Sequence, residues 1–186
     1  MDDMNREAWL QAAGAELSTY LKQVTGKVVP PFHVSVGWPF TSPRKRLAEC
    51  WHSKASADGV NQIFISPVLD TERALISLVH ELCHVYDGCE NGHGKGFIDY
   101  ARPAGLMEPW AASTAGDELN REISRIIEEL PEYPHSIMAM TEKQTPQATR
   151  MKKLECPECG YVVRTTQKWL DVGVPSCPAG DELVLK

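Results

Sequence analysis

No run of roughly 18 apolar residues occurs in the 186-residue chain, so no segment reads as a single-helix membrane span. The opening MDDMNREAWL lacks the basic stretch followed by an apolar one that marks a secretory leader. These two absences set the expectation of a cytoplasmic (or nucleoid-associated) protein with no membrane partner. Positive charge is also scarce, with 19 Lys and Arg against 25 Asp and Glu and a net charge of -6. That balance argues against a protein that coats nucleic acid over its whole surface, though it leaves room for a local basic patch. Cysteines number six, and in a reducing compartment clustered thiols bind metal more often than they pair. A persistent disulfide between Cys83 and Cys89 is therefore not expected. What remains, 42% hydrophobic and 24% charged, is the composition of a folded chain with one core and a small appendage.

Periodicity sketches the elements. Trp9, Leu10, Ala13, Leu17, Tyr20 and Leu21 recur at spacings of three and four, which predicts a helix over 6 to about 22. FHVSVGW (32–38) alternates, with Phe32, Val34, Val36 and Trp38 on one face. LAECWH (47–52) and NQIFIS (61–66) are two more strand candidates, and three strands so close in sequence predict a small, largely antiparallel sheet. Asp70 is a good N-cap for a helix running to about Asp87, with Gly88 as its stop. A short helix in GKGFIDYARPAG breaks at Pro103. A longer one in STAGDELNREISRIIEEL carries the apolar stripe Leu119, Ile123, Ile126, Ile127 and Leu130. The polar stretch 141–150 reads as a linker.

The chemistry concentrates in HELCHVYDGCENGHGKGF (80–97). His80 and His84 are four apart, so on a helix they stand on one face. Both rings then reach one ion at roughly 2.0–2.1 Å. At 100° per residue, Leu75, Leu78, Val79, Leu82 and Tyr86 share the core face, while His80 and His84 fall about 140° and 180° from Leu75. Histidines placed for packing would sit with the leucines. In an H-E-x-x-H helix the glutamate beside the first histidine, here Glu81, takes a proton from a zinc-activated water. A catalytic zinc needs a third protein ligand and an open fourth position. His93, reached through the glycines of NGHGKG, is the first candidate, with Asp87, Glu90 and Asp99 as competitors. Cys83 lies at the border of the core face, which suits a small buried thiol.

These residues resemble the SprT-like zinc metalloprotease family, which includes the Spartan-type DNA–protein crosslink proteases and similar short proteins encoded by phages. The resemblance rests on HELCH, on GHGKGF after it, on upstream VSVGW, AECW and IFISP, and on a cysteine-bearing tail. It implies an α+β chain: a zincin-like domain over 1–145, an antiparallel sheet beside the active-site helix, and a zinc-ribbon-like module over 146–186. It also implies a catalytic Zn2+ on His80, His84 and His93, Glu81 as the acid/base, and a protein substrate lying along a sheet edge.

The tail carries Cys156 and Cys159 in CPECG and Cys177 in CPAG. A ribbon takes four ligands, and here Ala179 and Gly180 stand where the fourth cysteine would be. The three cysteines are candidate ligands of a second, structural ion, with Asp181, Glu182 or His135 as substitutes for the fourth. The alternative is a metal-free module packed on Tyr161, Val163, Trp169 and Leu170. Arg150, Lys152, Lys153, Arg164 and Lys168 make a local basic patch, and Tyr161 and Trp169 offer faces on which bases stack, so DNA is a candidate partner. Arg44, Lys45 and Arg46 form a second basic spot. Tyr86 and Tyr100 are candidates for stabilising an oxyanion, with packing as the competing role.

The expected function is a zinc-dependent endopeptidase acting on intracellular, DNA-associated proteins. A non-proteolytic DNA-binding or adaptor protein with structural zinc, and a peptidase dedicated to one protein partner, remain as alternatives.

Overall fold

The computed structural model describes residues 4–40, 46–139 and 151–186. The chain divides into two compact units, Met1–Ala139 and Met140–Lys186. The linker expected over 141–150, the boundary near 145, and Arg44, Lys45 and Arg150 lie outside the described residues. The architecture is α+β with small sheets. Among the described residues no helix is long and apolar enough to cross a membrane.

Helix α1 (Arg6–Thr25) starts at Asn5, whose side chain accepts from the Ala8 N–H at 2.8 Å. It outruns the apolar pattern because Gly26, at φ 71, is the first residue suited to the left-handed stop. Trp9, Leu10, Ala13, Leu17 and Leu21 are completely buried. Strands β1 (Phe32–Val36), β2 (Ala48–Trp51) and β3 (Asn61–Ile65) follow and pair in the order β1-β3-β2. The sheet is mixed rather than largely antiparallel: β3 pairs antiparallel with β2 but parallel with β1. The last strand inserts between the first two, and because those two run in opposite directions it runs with β1 and against β2. That insertion buries alternate residues of β3 and leaves β2 as an edge. Trp38 falls beyond β1 and is 40% exposed, because Pro39 cannot extend the ladder.

Helix α2 (Thr71–Tyr86) has the expected cap, with Asp70 accepting from the Arg73 N–H at 2.8 Å. It packs against α1, the sheet, α3 (Lys95–Ala101) and α4 (Asp117–Glu129), so it is the central rod of the larger unit. Leu75, Leu78, Val79, Leu82 and Cys83 are completely buried. Helix α3 ends ahead of Pro103, as expected. The segment expected to begin a helix at Ser113 instead pairs β4 (Leu106–Met107) with β5 (Thr114–Ala115). Helix α4 then starts at Asp117, where the acidic pair Asp117 and Glu118 meets the positive end of the dipole. Of its stripe, Leu119, Ile123 and Ile126 are buried. Ile127 lies 100° further round from Ile126 and is exposed.

The smaller unit contains β6 (Lys152–Glu155), β7 (Val162–Thr165), a single helical turn α5 (Gln167–Leu170) and β8 (Val184–Leu185). Its sheet is antiparallel in the order β7-β6-β8. Its buried cluster is Leu154, Cys156, Cys177 and Leu183, with Val163 and Leu170 packed against it. Tyr161 and Trp169, the other two residues expected to pack, are 45% and 58% exposed.

Candidate metal centres

The helix places His80 and His84 one above the other, and the turn after α2 brings His93 to both. Gly88 at φ 70 lets the chain reverse. A side chain at Gly96 would collide with the Asp87 carboxylate. That carboxylate accepts from the Asn91 backbone and side chain at 3.3 and 2.9 Å and so shapes the loop before His93. The three Nε2 atoms converge: His80 to His93 3.1 Å, His80 to His84 3.2 Å, His84 to His93 3.4 Å. Ligands held by one tetrahedral ion at roughly 2.0–2.1 Å stand about 3.3 Å apart, so the spacing matches. Mutual hydrogen bonds do not account for it, because each ring nitrogen has one proton at most to share among two neighbours. These three histidines could hold a metal ion.

Electrostatics keep the rings neutral, the form that ligates. Burial, reinforced by the neighbouring histidines, pushes His80 down to about 3. Burial and His93 push His84 down to about 4. His93 is also lowered, by burial and then by Arg46. Phe97 floors the site, its ring centroid 4.9, 4.5 and 5.0 Å from those of His80, His84 and His93. The Nδ1 of His80 meets Ser113 Oγ at 2.7 Å, a partner that fixes the ring's orientation. The competing carboxylates are otherwise engaged: Asp87 with Asn91, Glu90 with Lys54 at 3.4 Å, Asp99 with Lys95 at 2.6 Å.

The histidines open onto a cleft of about 610 Å³, bounded on one side by residues 46–50 and on another by residues 111–113. Glu81 lines the same cleft but is 6% exposed. Burial pushes its carboxyl up to about 8, and Cys89 and Glu49 add to this. Arg46 and the Cys50 N–H, which donates to the carboxylate, work against it. Cys50 and Cys89 meet here with their Sγ atoms 2.7 Å apart. Their shared hydrogen bond, with burial, pushes the Cys50 thiol up, and the same bond holds the Cys89 thiol down. Cys83 faces the core, away from both. Tyr86 and Tyr100 stack on each other at 4.4 Å and bond Lys27 through their hydroxyls, so both are packing residues.

The second group is Cys156, Cys159 and Cys177, whose sulfurs lie within 4.8 Å of one another and could also hold an ion. Two tight turns present them. In the first, the Gly160 N–H bonds Cys156 O at 3.0 Å and the Cys159 N–H approaches Cys156 Sγ at 3.5 Å. In the second, the Gly180 N–H bonds Cys177 O at 2.9 Å and the Asp181 N–H approaches Cys177 Sγ at 3.3 Å. The second turn thus brings Asp181, four residues after Cys177, beside two of the three sulfurs, outside the set whose ligand atoms all lie within 4.8 Å of one another. Its Oδ2 lies 3.4 Å from Cys177 Sγ and 4.0 Å from Cys156 Sγ. His135 belongs to the other unit, where its Nε2 sits 3.0 Å from Pro67 O.

Of the expected DNA contacts, Lys153 and Arg164 stand opposite each other across β6 and β7, while Lys152 faces Thr165. Lys153 is paired with Glu155 at 2.8 Å, and Lys168 lies over the Trp169 ring at 5.1 Å. Ser113, Arg46 and the Cys50–Cys89 pair had no signal in the sequence as parts of the site. Their partners lie 33 or more positions away, and no spacing rule connects them. Compared with known proteins, the chain matches no family model, no curated protein and no solved structure.

Proposed function

We propose that the larger unit is a zincin-type zinc endopeptidase and that His80, His84 and His93 hold its ion. The observation that carries this reading is the convergence of three Nε2 atoms within 3.1–3.4 Å on the floor of a cleft that also holds Glu81. Zinc there supplies a Lewis acid for the scissile carbonyl and lowers the pKa of water to about 7. With the ion bound, Glu81 would serve as the group that takes a proton from the attacking water and returns it to the leaving nitrogen. The Cys50 N–H fixes one end of the carboxylate, and Ser113 fixes the ring of His80. Strand β2 lies at one end of the order β1-β3-β2 and borders the cleft, along which an extended substrate adds as a strand.

The smaller unit favours substrates found on DNA. Tyr161 and Trp169 are exposed aromatics, and Arg164 and Lys168 lie on the same small unit, a composition that suits stacking of unpaired bases. A structural zinc on Cys156, Cys159 and Cys177, with Asp181 as fourth ligand, completes the reading. Glu81→Gln is expected to keep both ions while cleavage of a DNA-crosslinked or DNA-binding protein falls at least about 10²-fold. A variant that cuts as fast as the parent overturns the mechanism. The absence of cleavage by either, with DNA affinity intact, favours the adaptor reading. Cleavage indifferent to added single-stranded DNA favours a peptidase with a single dedicated partner.

A further inference from the structure

Two thiols in the cleft belong to neither metal group. Cys50 comes from edge strand β2 and Cys89 from the loop that leads to His93, yet their sulfurs touch at 2.7 Å. Both line the cleft and both are half-buried, so a small reagent reaches them. Cys83, closer to Cys89 in sequence, is completely buried in the core. The loop's backbone is committed to this meeting. Cys89 is the one non-glycine residue with positive φ (56) among those described, a conformation that costs an ordinary side chain about 1 kcal/mol. The bond from the Cys89 N–H to His84 O at 2.8 Å helps to hold it there.

We infer that Cys50 and Cys89 form a reversible disulfide that latches the His93-bearing loop to β2. The oxidant is a low-molecular-weight disulfide, RSSR. The Cys89 thiolate attacks one of its sulfurs and releases RS⁻, leaving Cys89 joined to SR. The Cys50 thiolate then attacks the Cys89 sulfur and releases the second RS⁻. In sum, two protein thiols and RSSR become one protein disulfide and two RSH, and excess dithiol reverses the exchange. Among the described residues, the exposed pair Lys54–Glu90 also ties the loop to this part of the chain, and such a pair contributes little. The latch also fixes Cys50, whose N–H holds Glu81. Resting on the peptidase reading, oxidation is a brake on the base, which must shift between water and leaving nitrogen.

The test uses the full-length protein treated with oxidised glutathione, alkylated and digested with trypsin. Peptide 47–54 is expected joined to peptide 74–95, with the link kept in Cys83→Ala and lost in Cys89→Ser. Amide exchange across residues 88–94 should slow at least about tenfold on oxidation, and not in Cys50→Ser. Cleavage should fall severalfold on oxidation and recover with dithiothreitol. No 47–54 link, or a link through Cys83, overturns the pair. A link that leaves exchange unchanged overturns the latch, and a link that leaves cleavage unchanged overturns the brake. If the peptidase reading itself fails, the reduced protein shows no cleavage, while link and exchange still decide the latch.

Discussion

The two groups that could hold a metal ion are built in opposite ways. Two of the three histidines stand on α2, which packs on α1, α3, α4 and the sheet, and their face is what that packing leaves over. The cysteines are part of the packing itself, since Cys156 and Cys177 are two of the four buried side chains of their cluster. A site mounted on a finished core can lose its ion and stay shaped. A site that is half of its own core cannot, because a unit this small buries too little apolar surface to stand alone.

The sharpest way to break this comparison is to remove metal from both. Under strong chelation at neutral pH, amides in β6 and β7 are expected to lose nearly all exchange protection, while α1, α2 and α4 keep theirs. Metal binding and folding are one event in such small units and are worth several kcal/mol or more. Hydrogen exchange read by peptide distinguishes the two units directly. Protection in β6 and β7 that survives chelation would mean that Leu154, Val163, Leu170 and Leu183 suffice.

The same contrast explains what could be read from the sequence. Helical spacing placed His80 and His84 opposite the leucines because both facts depend on one periodicity. The Asp70 cap and the Gly88 stop are local as well. Parallel pairing of β1 with β3 was not legible, since strand direction depends on where the chain returns. Glu81 read as a base but not as a buried one, because its burial comes from β2 and the loop. In the tail, Cys156, Cys159 and Cys177 were visible as a set with one member missing. Proposing Asp181 rather than Glu182 or His135 as a fourth ligand needed the second turn's shape.

That choice allows a finer comparison between the two turns. Asp181→Ala should weaken the ion at the cysteines about 10- to 100-fold, the usual effect of losing a ligand or its close support. The ion at the histidines should be untouched. Glu182→Ala and His135→Ala should change neither. Competition against a chelating dye, with total zinc measured by elemental analysis, reads all three variants. An unchanged affinity in Asp181→Ala would return the fourth position to water.

The smallest effect concerns what the cleft costs the larger unit when it is empty. Glu81 has its folded pKa raised to about 8 from a value of 4.5. A raised pKa means the buried carboxyl costs little below 4.5, where it is protonated in both states. The penalty accumulates between 4.5 and 8, where the folded chain keeps a proton that the unfolded chain has released, and levels off above 8. Glutamine at this position carries no charge at any pH. Metal-free Glu81→Gln is therefore expected to match the parent near pH 4.5 and to exceed it by on the order of 1–2 kcal/mol at pH 8, water entry softening the full penalty. The buried histidines titrate alike in both proteins, so their contribution cancels in the difference. Urea unfolding followed by helical circular dichroism reports on the larger unit, which holds α1, α2 and α4. A difference that is the same at both pH values would mean that Glu81 is not ionising in a desolvated site. A difference that closes when zinc is added is the expected result, because a cation on His80, His84 and His93 stabilises the neighbouring carboxylate.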